Sequence, residues 1–186
     1  MELWLIRHPR PQVEPGICYG RLDLAVAEAE MSAAVERLRP LLPAEARLRT
    51  SPALRCRDLA GRLHRSPVED ERLLERSFGH WEGLSWDAIG PAALDAWAAD
   101  AWDFVPPAGE SARAVMARVA GALEEETGLT GVAVWVTHQG VARAAAGLLM
   151  ELAAETWMEL QLPFGATWQL KRHDGNWTLR RVDHCG

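Results

Sequence analysis

A short apolar run at the start of the chain, residues 3–6, ends at once in residues 7–11, which read Arg-His-Pro-Arg-Pro. Four bulky apolar side chains suit a β-strand that is buried on both faces, as strands of parallel sheets are. The two prolines cannot continue the ladder, because each fixes φ and has no N–H to donate. Arg7 and His8 therefore lie where a buried strand opens into a loop, and in open α/β sheets that edge binds ligands.

Hydrophobic periodicity predicts alternating strands and helices in the rest of the chain. The apolar run 131–137 predicts a central strand, 47–50 a weaker strand and 66–70 a short edge strand. Helices are predicted over 27–39, 52–64, 84–99 (in pieces), 111–127 and 141–152, and a β-hairpin over 167–173 and 177–182. Ser51 is expected to cap the second helix and Pro52 to open it. The pattern indicates an α/β fold, a three-layer α/β/α sandwich with a mostly parallel central sheet.

Length and charge narrow the class of protein. At 186 residues the chain suits one domain, 1–186. A net charge of -6 argues against general binding to nucleic acid or to a membrane surface. No apolar run approaches the roughly 20 residues that span a bilayer, and the first residues lack the pattern of a signal peptide. The three cysteines, Cys18, Cys56 and Cys185, form no CxxC pair, which predicts a reduced, cytoplasmic protein.

Cationic and imidazole side chains follow three of the predicted strands. Arg7 and His8 follow the first strand, Arg55 lies just past the second, and His138 follows the central strand. Because the carboxyl ends of parallel strands share one edge of a sheet, we expect these groups to converge. Guanidinium groups match phosphate oxygens bidentately, so the sequence predicts an anion site. It contains no Walker-type or GxGxxG loop and no metal-ligand spacing, so no cofactor and no metal are implied.

Five short segments, taken in order, form a more specific pattern. They are the Arg7-His8 pair and residues 50–55, 75–83, 107–111 and 136–140. Each is weak alone, but together they are spaced across roughly residues 3–150, most of the chain, and resemble in their order the signature of the histidine phosphatase superfamily. The resemblance implies a single histidine-phosphatase domain with the phosphoglycerate-mutase-like fold.

The resemblance also implies roles for five residues. His8 is expected to be the nucleophile, whose neutral imidazole attacks phosphorus to give a phosphohistidine. Arg7, Arg55 and His138 are expected to bind the transferring oxygens and to stabilise their charge. Glu75 is expected to protonate the leaving alkoxide and then to activate water for hydrolysis of the intermediate.

Four positions differ from the family pattern or compete for a role in it. Glu82 competes with Glu75 for the role of general acid. Pro9 stands where the family usually has glycine, so a backbone N–H that could face the pocket is missing. The family often has a Thr and an Asn a few residues later as phosphate ligands, whereas this chain has Pro11 and Glu14 near those positions.

The substrate is suggested by residues 16–23, which resemble the α-ribazole phosphatase branch of the family. That branch dephosphorylates α-ribazole 5′-phosphate in cobalamin nucleotide-loop assembly. Tyr19, Arg21 and Trp81 are candidate substrate-binding residues, since an aromatic ring can stack on a benzimidazole-like base. The other histidines are interpreted as surface or loop residues: His64, His80, His173 and His184.

Alternatives remain open on the sequence. One is a broad-specificity phosphatase that acts on small molecules or phosphoproteins; another, of a different class, is a non-catalytic phosphate-ester-binding module. A phosphoglycerate mutase is disfavoured, because the chain is short and has little sequence for an enclosing cap. The expected partner is a small-molecule phosphate ester, with no nucleic acid and no membrane, and a homodimer is left open.

Overall fold

A six-stranded sheet runs through the computed structural model, which describes residues 1–64 and 66–182. Its strands are β1 (Glu2–Arg7), β2 (Arg47–Thr50), β3 (Val68–Glu69), β4 (Val132–Thr137), β5 (Thr167–His173) and β6 (Asn176–Arg181), in the spatial order β3-β2-β4-β1-β5-β6. The first four strands pair in parallel, whereas β5 runs antiparallel to β1 and forms a hairpin with β6. The predicted mostly parallel sheet, with 131–137 at its centre, is confirmed.

Helices cover both faces of this sheet. They are α1 (Glu28–Leu38), α2 (Leu54–Leu63), α3 (Trp86–Ile89), α4 (Pro91–Ala99), α5 (Ala112–Thr127), α6 (Gln139–Leu149) and α7 (Ala154–Glu159). Side chains alternate along β1, so that Leu3 and Leu5 pack with α5, α6 and α7 while Trp4 and Ile6 pack with α1 and α2. The two cores on opposite faces of the sheet give the predicted three-layer α/β/α sandwich.

The start of α2 differs from the prediction. The helix begins at Leu54 rather than at Pro52, and its N-cap residue is Ala53 instead of Ser51. The Ser51 hydroxyl lies 2.8 Å from Nε2 of His138, so it contacts the side chain that follows β4. It also accepts a hydrogen bond from the Ala53 N–H at 3.3 Å. The first helical N–H, that of Leu54, is satisfied from outside by Asp23 Oδ1 at 2.7 Å.

Two further elements differ from the sequence-based expectation. Helix α6 begins at Gln139, directly after β4, and not at residue 141, and the short helix α7 was not predicted. The predicted break in 84–99 is confirmed, because Gly90 (φ 86) separates α3 from α4.

Of the histidines expected at the surface, His80 and His173 are exposed and His64 is half-buried, whereas His184, like Cys185, lies outside the described residues. In the part of the chain that the structure describes, no helix has the length and apolar character to span a bilayer.

Candidate active site

Three adjacent strand ends bring the predicted anion-binding groups together. His8 follows β1, Arg55 lies in the first turn of α2 just past β2, and His138 follows β4. All three side chains are buried, with 2%, 0% and 1% of their surface exposed. The rings of His8 and His138 meet edge to face, with centroids 5.1 Å apart. The convergence follows from topology, because β1, β4 and β2 are neighbours and run parallel.

The tautomer of His8 is fixed by two hydrogen bonds. Its Nδ1 lies 2.6 Å from the carbonyl oxygen of Pro9, which can only accept, so Nδ1 carries the hydrogen. Arg55 donates from Nε to Nε2 of His8 at 3.2 Å, so Nε2 presents its lone pair. Pro9 lacks an N–H, but it retains the carbonyl on which this orientation depends. His8 is therefore arranged as a neutral imidazole with a nucleophilic Nε2.

Both buried imidazoles are held in the neutral form. Burial, followed by the positive charges of Arg55 and Arg7, lowers the pKa of His8 well below its usual range. Burial, followed by the neighbouring His8 and Arg55, likewise lowers the pKa of His138. His138 Nδ1 lies 3.2 Å from Arg55 Nη2, which only donates, so its Nε2 carries the hydrogen that points to Ser51.

The loop of residues 20–22 binds Arg55 through its carbonyl groups, and Glu82 binds the same loop through its N–H groups. Arg55 donates from Nη2 to the Gly20 carbonyl and from Nη1 to the Leu22 carbonyl, both at 2.7 Å. The Glu82 carboxylate accepts from the backbone N–H groups of Arg21 at 3.0 Å and of Leu22 at 2.8 Å. It also accepts from the Phe78 N–H at 2.8 Å. Glu82 is thus occupied by backbone donors, and it acts on the site through the loop.

Glu75, in contrast, lines the cavity in front of His8. Its Oε2 accepts from the backbone N–H of Gly140 at 3.1 Å, and its Oε1 accepts from that of Arg76 at 2.9 Å. A side chain at position 140 would displace this carboxyl group, because a Cβ there would lie 2.3 Å from Glu75 Oε1. The glycine after Gln139 therefore permits the close approach of this carboxyl group to the start of α6.

Arg7 and Arg143 add two cations to the same cavity. Arg7 donates from Nη1 to Gln139 Oε1 at 2.9 Å and to the Leu162 carbonyl at 2.8 Å, and its guanidinium lies 3.7 Å from the ring centroid of Phe164. Arg143 was missed by the sequence reasoning. It lies four residues after Gln139 on α6, so the helical period places the two side chains on one face, and this spacing was the signal that could have found it.

The cavity has a volume of about 350 Å³ and extends away from His8 toward an apolar end. Tyr19 lines it, but the other two candidate substrate-binding residues do not. Arg21 donates instead to the Glu75 carbonyl at 3.3 Å and to Glu110 Oε2 at 3.2 Å. Trp81 is buried, with its ring centroid 6.0 Å from that of Trp97. The apolar end of the cavity wall is formed by Phe78, Trp97, Val115, Trp157 and Met158.

Metal-ligating side chains do not cluster in the part of the chain that the structure describes. Within residues 1–64 and 66–182, no group of three His, Cys, Asp or Glu side chains is placed to hold a metal ion. The cationic groups around His8 suit an anion, since a guanidinium has no lone pair to offer a metal.

This arrangement, a buried neutral histidine among arginines with a carboxyl group facing the same cavity, is suited to phosphoryl chemistry. Residues 3–184 match the model of the histidine phosphatase superfamily (branch 1), and the chain belongs to that superfamily. No curated protein sequence matches the chain.

Three solved structures are similar over nearly the whole chain. A phosphoglycerate mutase from Thermus thermophilus is 32% identical with a TM-score of 0.76, covering 98% of this chain and 99% of that one. A mycobacterial glucosyl-3-phosphoglycerate phosphatase is 29% identical, with a TM-score of 0.81 and 97% of both chains covered. A candidate α-ribazole-5′-P phosphatase from Escherichia coli has a TM-score of 0.87 at 23% identity, covering 98% and 96%, and at that identity it shows the fold alone. The superfamily and its phosphatase neighbours support a phosphatase.

Proposed function

We propose that the protein is a metal-independent phosphomonoesterase that works through a phosphohistidine on His8, with α-ribazole 5′-phosphate as its substrate. The observation that carries the mechanism is the orientation of His8. Pro9 accepts the Nδ1 hydrogen, so Nε2 keeps the lone pair that attacks phosphorus once Arg55 has exchanged Nε2 for a phosphate oxygen, and His138 lies beside it.

In the first step, Nε2 of His8 attacks phosphorus, a P–N bond forms, and the bond from phosphorus to the ester oxygen breaks. Arg55 then donates to a phosphate oxygen in place of Nε2, and Arg7 binds a second transferring oxygen. His138 binds the third after a change of tautomer, in which its Nδ1 carries the hydrogen and its Nε2 accepts from the Ser51 hydroxyl. Glu75 gives its proton to the leaving alkoxide, so the alcohol departs neutral. The developing imidazolium charge is balanced by the phosphoryl oxygens that it now carries.

In the second step, water attacks the phosphohistidine. Glu75, now ionised, accepts a proton from that water while the P–N bond breaks and its electron pair returns to Nε2. Phosphate leaves, and both His8 and Glu75 are back in their starting states. One carboxyl group serves both steps because the leaving alcohol and the attacking water occupy the same side of phosphorus in turn.

The substrate proposal is supported by the resemblance of residues 16–23 to the α-ribazole phosphatase branch. Tyr19, within that segment, lines the cavity. A cytoplasmic location is part of the proposal, and it is supported by the two described cysteines, Cys18 and Cys56, which are buried and unpaired.

A mutase is the second candidate, favoured by one comparison. The Thermus thermophilus protein called a phosphoglycerate mutase is almost completely aligned with this chain, so the shortness of the chain no longer argues against that reaction. In a mutase the phosphoryl group on His8 would pass to a second hydroxyl of the substrate instead of to water.

The test is phosphate release in EDTA from α-ribazole 5′-phosphate, ribose 5-phosphate, 3-phosphoglycerate, glucosyl-3-phosphoglycerate and a phosphoserine peptide. A preference for the first of at least about 100-fold in kcat/KM, about 2.7 kcal/mol of transition-state binding, is expected. A flat profile would retain the mechanism and discard the named substrate. Formation of 2-phosphoglycerate would favour the mutase, and binding of esters without turnover would leave the phosphate-ester-binding module.

A further inference from the structure

The apolar end of the cavity is built around Trp97, a residue of α4 that no sequence motif marks. Its indole stacks on that of Trp86 with centroids 5.8 Å apart and planes 22° apart. Phe78 meets the same indole edge to face at 5.6 Å, and Trp81 lies at 6.0 Å. Helix α4 itself has no fully buried residue. The helix is therefore held at this position largely by its aromatic contacts.

A fixed cation supports the same ring. The guanidinium of Arg76 lies 5.4 Å from the ring centroids of both Phe78 and Trp97. It is anchored by Nε to the Glu110 carbonyl at 2.7 Å and by Nη2 to the Phe104 carbonyl at 2.8 Å. Trp97 is thus oriented before any ligand arrives, so binding against it costs little additional ordering of the protein.

The other apolar walls come from α5 and α7. Val115 of α5 and Trp157 and Met158 of α7 line the same cavity. Trp157 is 5% exposed and is fixed against Gly147, where a Cβ would lie 2.6 Å from its ring. A leaving group rich in hydroxyls would lose its water against these carbon surfaces without gaining partners, whereas a planar apolar group would not.

We propose that Trp97 and Met158 form a subsite that binds a planar, apolar leaving group of the phosphate ester, while His8 and its arginines bind the phosphoryl group. This inference rests on the proposed phosphatase function and assigns the specificity of the same cavity. Trp97, instead of Trp81, is then the aromatic residue against which the ring stacks.

The test compares two non-hydrolysable ligands that differ only in a ring, 2-phenylethylphosphonate and ethylphosphonate, by calorimetric titration. The wild-type protein is expected to bind the phenyl compound at least about tenfold more tightly. In Trp97→Ala that ratio of dissociation constants is expected to fall to about threefold or less. Met158→Ala should also lower this ratio of dissociation constants. If Trp97→Ala does not fold, the result for Met158→Ala alone tests the subsite.

Trp177→Phe is the matched control, because Trp177 lies on β6 and lines a different surface pocket. Trp177→Phe should retain the wild-type ratio of dissociation constants for the two phosphonates. Equal affinities for the two phosphonates in the wild-type protein, or no binding of either, would overturn the subsite, as would a wild-type ratio in both cavity variants. A preserved ratio in a protein that releases no phosphate from any ester would instead overturn the proposed function alone.

Discussion

The two ends of the cavity are built by different means. At the phosphate end, His8, Arg55 and His138 come from strand ends and are fixed by hydrogen bonds to one another and to the carbonyls of Pro9, Gly20 and Leu22. At the leaving-group end, the side chains come from three helices and, in the case of Phe78, from a loop, and they are fixed by packing.

The difference has a functional consequence. Hydrogen bonds specify direction, so the phosphate end sets where the reacting atoms lie, and substitutions there should change the rate of the chemical steps. Packing specifies shape and polarity, so substitutions at the apolar end should change which ester is preferred.

The largest effect is expected at the nucleophile. His8→Ala should lower kcat by more than about 10⁴-fold on every ester, because the variant lacks the imidazole nitrogen that attacks phosphorus. Steady-state phosphate release measures the loss, and the ratio of affinities for the two phosphonates should survive it. Hydrolysis near the wild-type rate would move the nucleophile elsewhere.

Glu75→Gln should slow hydrolysis of alkyl esters about 10³-fold while phosphate binding is retained, because the proton donor to the alkoxide is lost. With p-nitrophenyl phosphate, whose leaving group needs no proton, a stopped-flow burst of one equivalent of nitrophenol should precede slow turnover, since the second step still needs the base. An unchanged rate at every pH would exclude Glu75 as the acid.

Glu82→Gln is the matched carboxyl-to-amide control for that variant. It replaces one of the two oxygens that accept from the Arg21, Leu22 and Phe78 N–H groups with an NH2 group, which cannot accept. The loop that binds Arg55 should therefore be less well held. We expect kcat to fall about tenfold, equally for alkyl and nitrophenyl esters and without a burst. If Glu82→Gln instead reproduced the leaving-group dependence of Glu75→Gln, Glu82 would be the acid.

The burial of the two histidines predicts a dependence of stability on pH. Their pKa values are lowered in the folded state, so below the usual histidine pKa of about 6.5 the unfolded chain binds more protons than the folded one. The free energy of unfolding is therefore highest above about pH 6.5. It decreases as the pH falls below that value, by at most about 1.4 kcal/mol per pH unit for each histidine.

Urea unfolding between pH 7.5 and 5 measures that slope. His8→Asn, which cannot take up the proton, should lower it, and His173→Asn, at an exposed position, should not. Equal slopes in the wild-type protein and in His8→Asn would mean that His8 takes up a proton in the folded state at the same pH as in the unfolded chain.

The same contrast explains how much could be predicted from the sequence. The parallel sheet and the convergence of Arg7, His8, Arg55 and His138 were predictable, because each group directly follows a continuous apolar run or a helix start. Contiguous sequence determines such strand ends, and the sheet order then brings them together.

The leaving-group end left no comparable signal. Trp97 and Met158 lie on short helices whose apolar residues resemble ordinary core positions, and α7 was not predicted at all. Trp81 was expected at the site because its ring could stack on a benzimidazole-like base. It lies instead at the end of the 3-10 turn Gly79–Trp81, packs against Trp97 and does not line the cavity. Packing between distant helices depends on tertiary structure that local patterns do not encode.

The central claim is that the phosphoryl group passes through Nε2 of His8. The most direct measurement is to mix enzyme with α-ribazole 5′-phosphate or p-nitrophenyl phosphate, quench in alkali, where phosphohistidine survives, and locate the phosphoryl group by peptide mass spectrometry. The account predicts a phosphoryl group on His8, within the peptide that contains this residue, and none in His8→Ala. Steady turnover with no phosphorylated enzyme, or with the group on another residue, would contradict it.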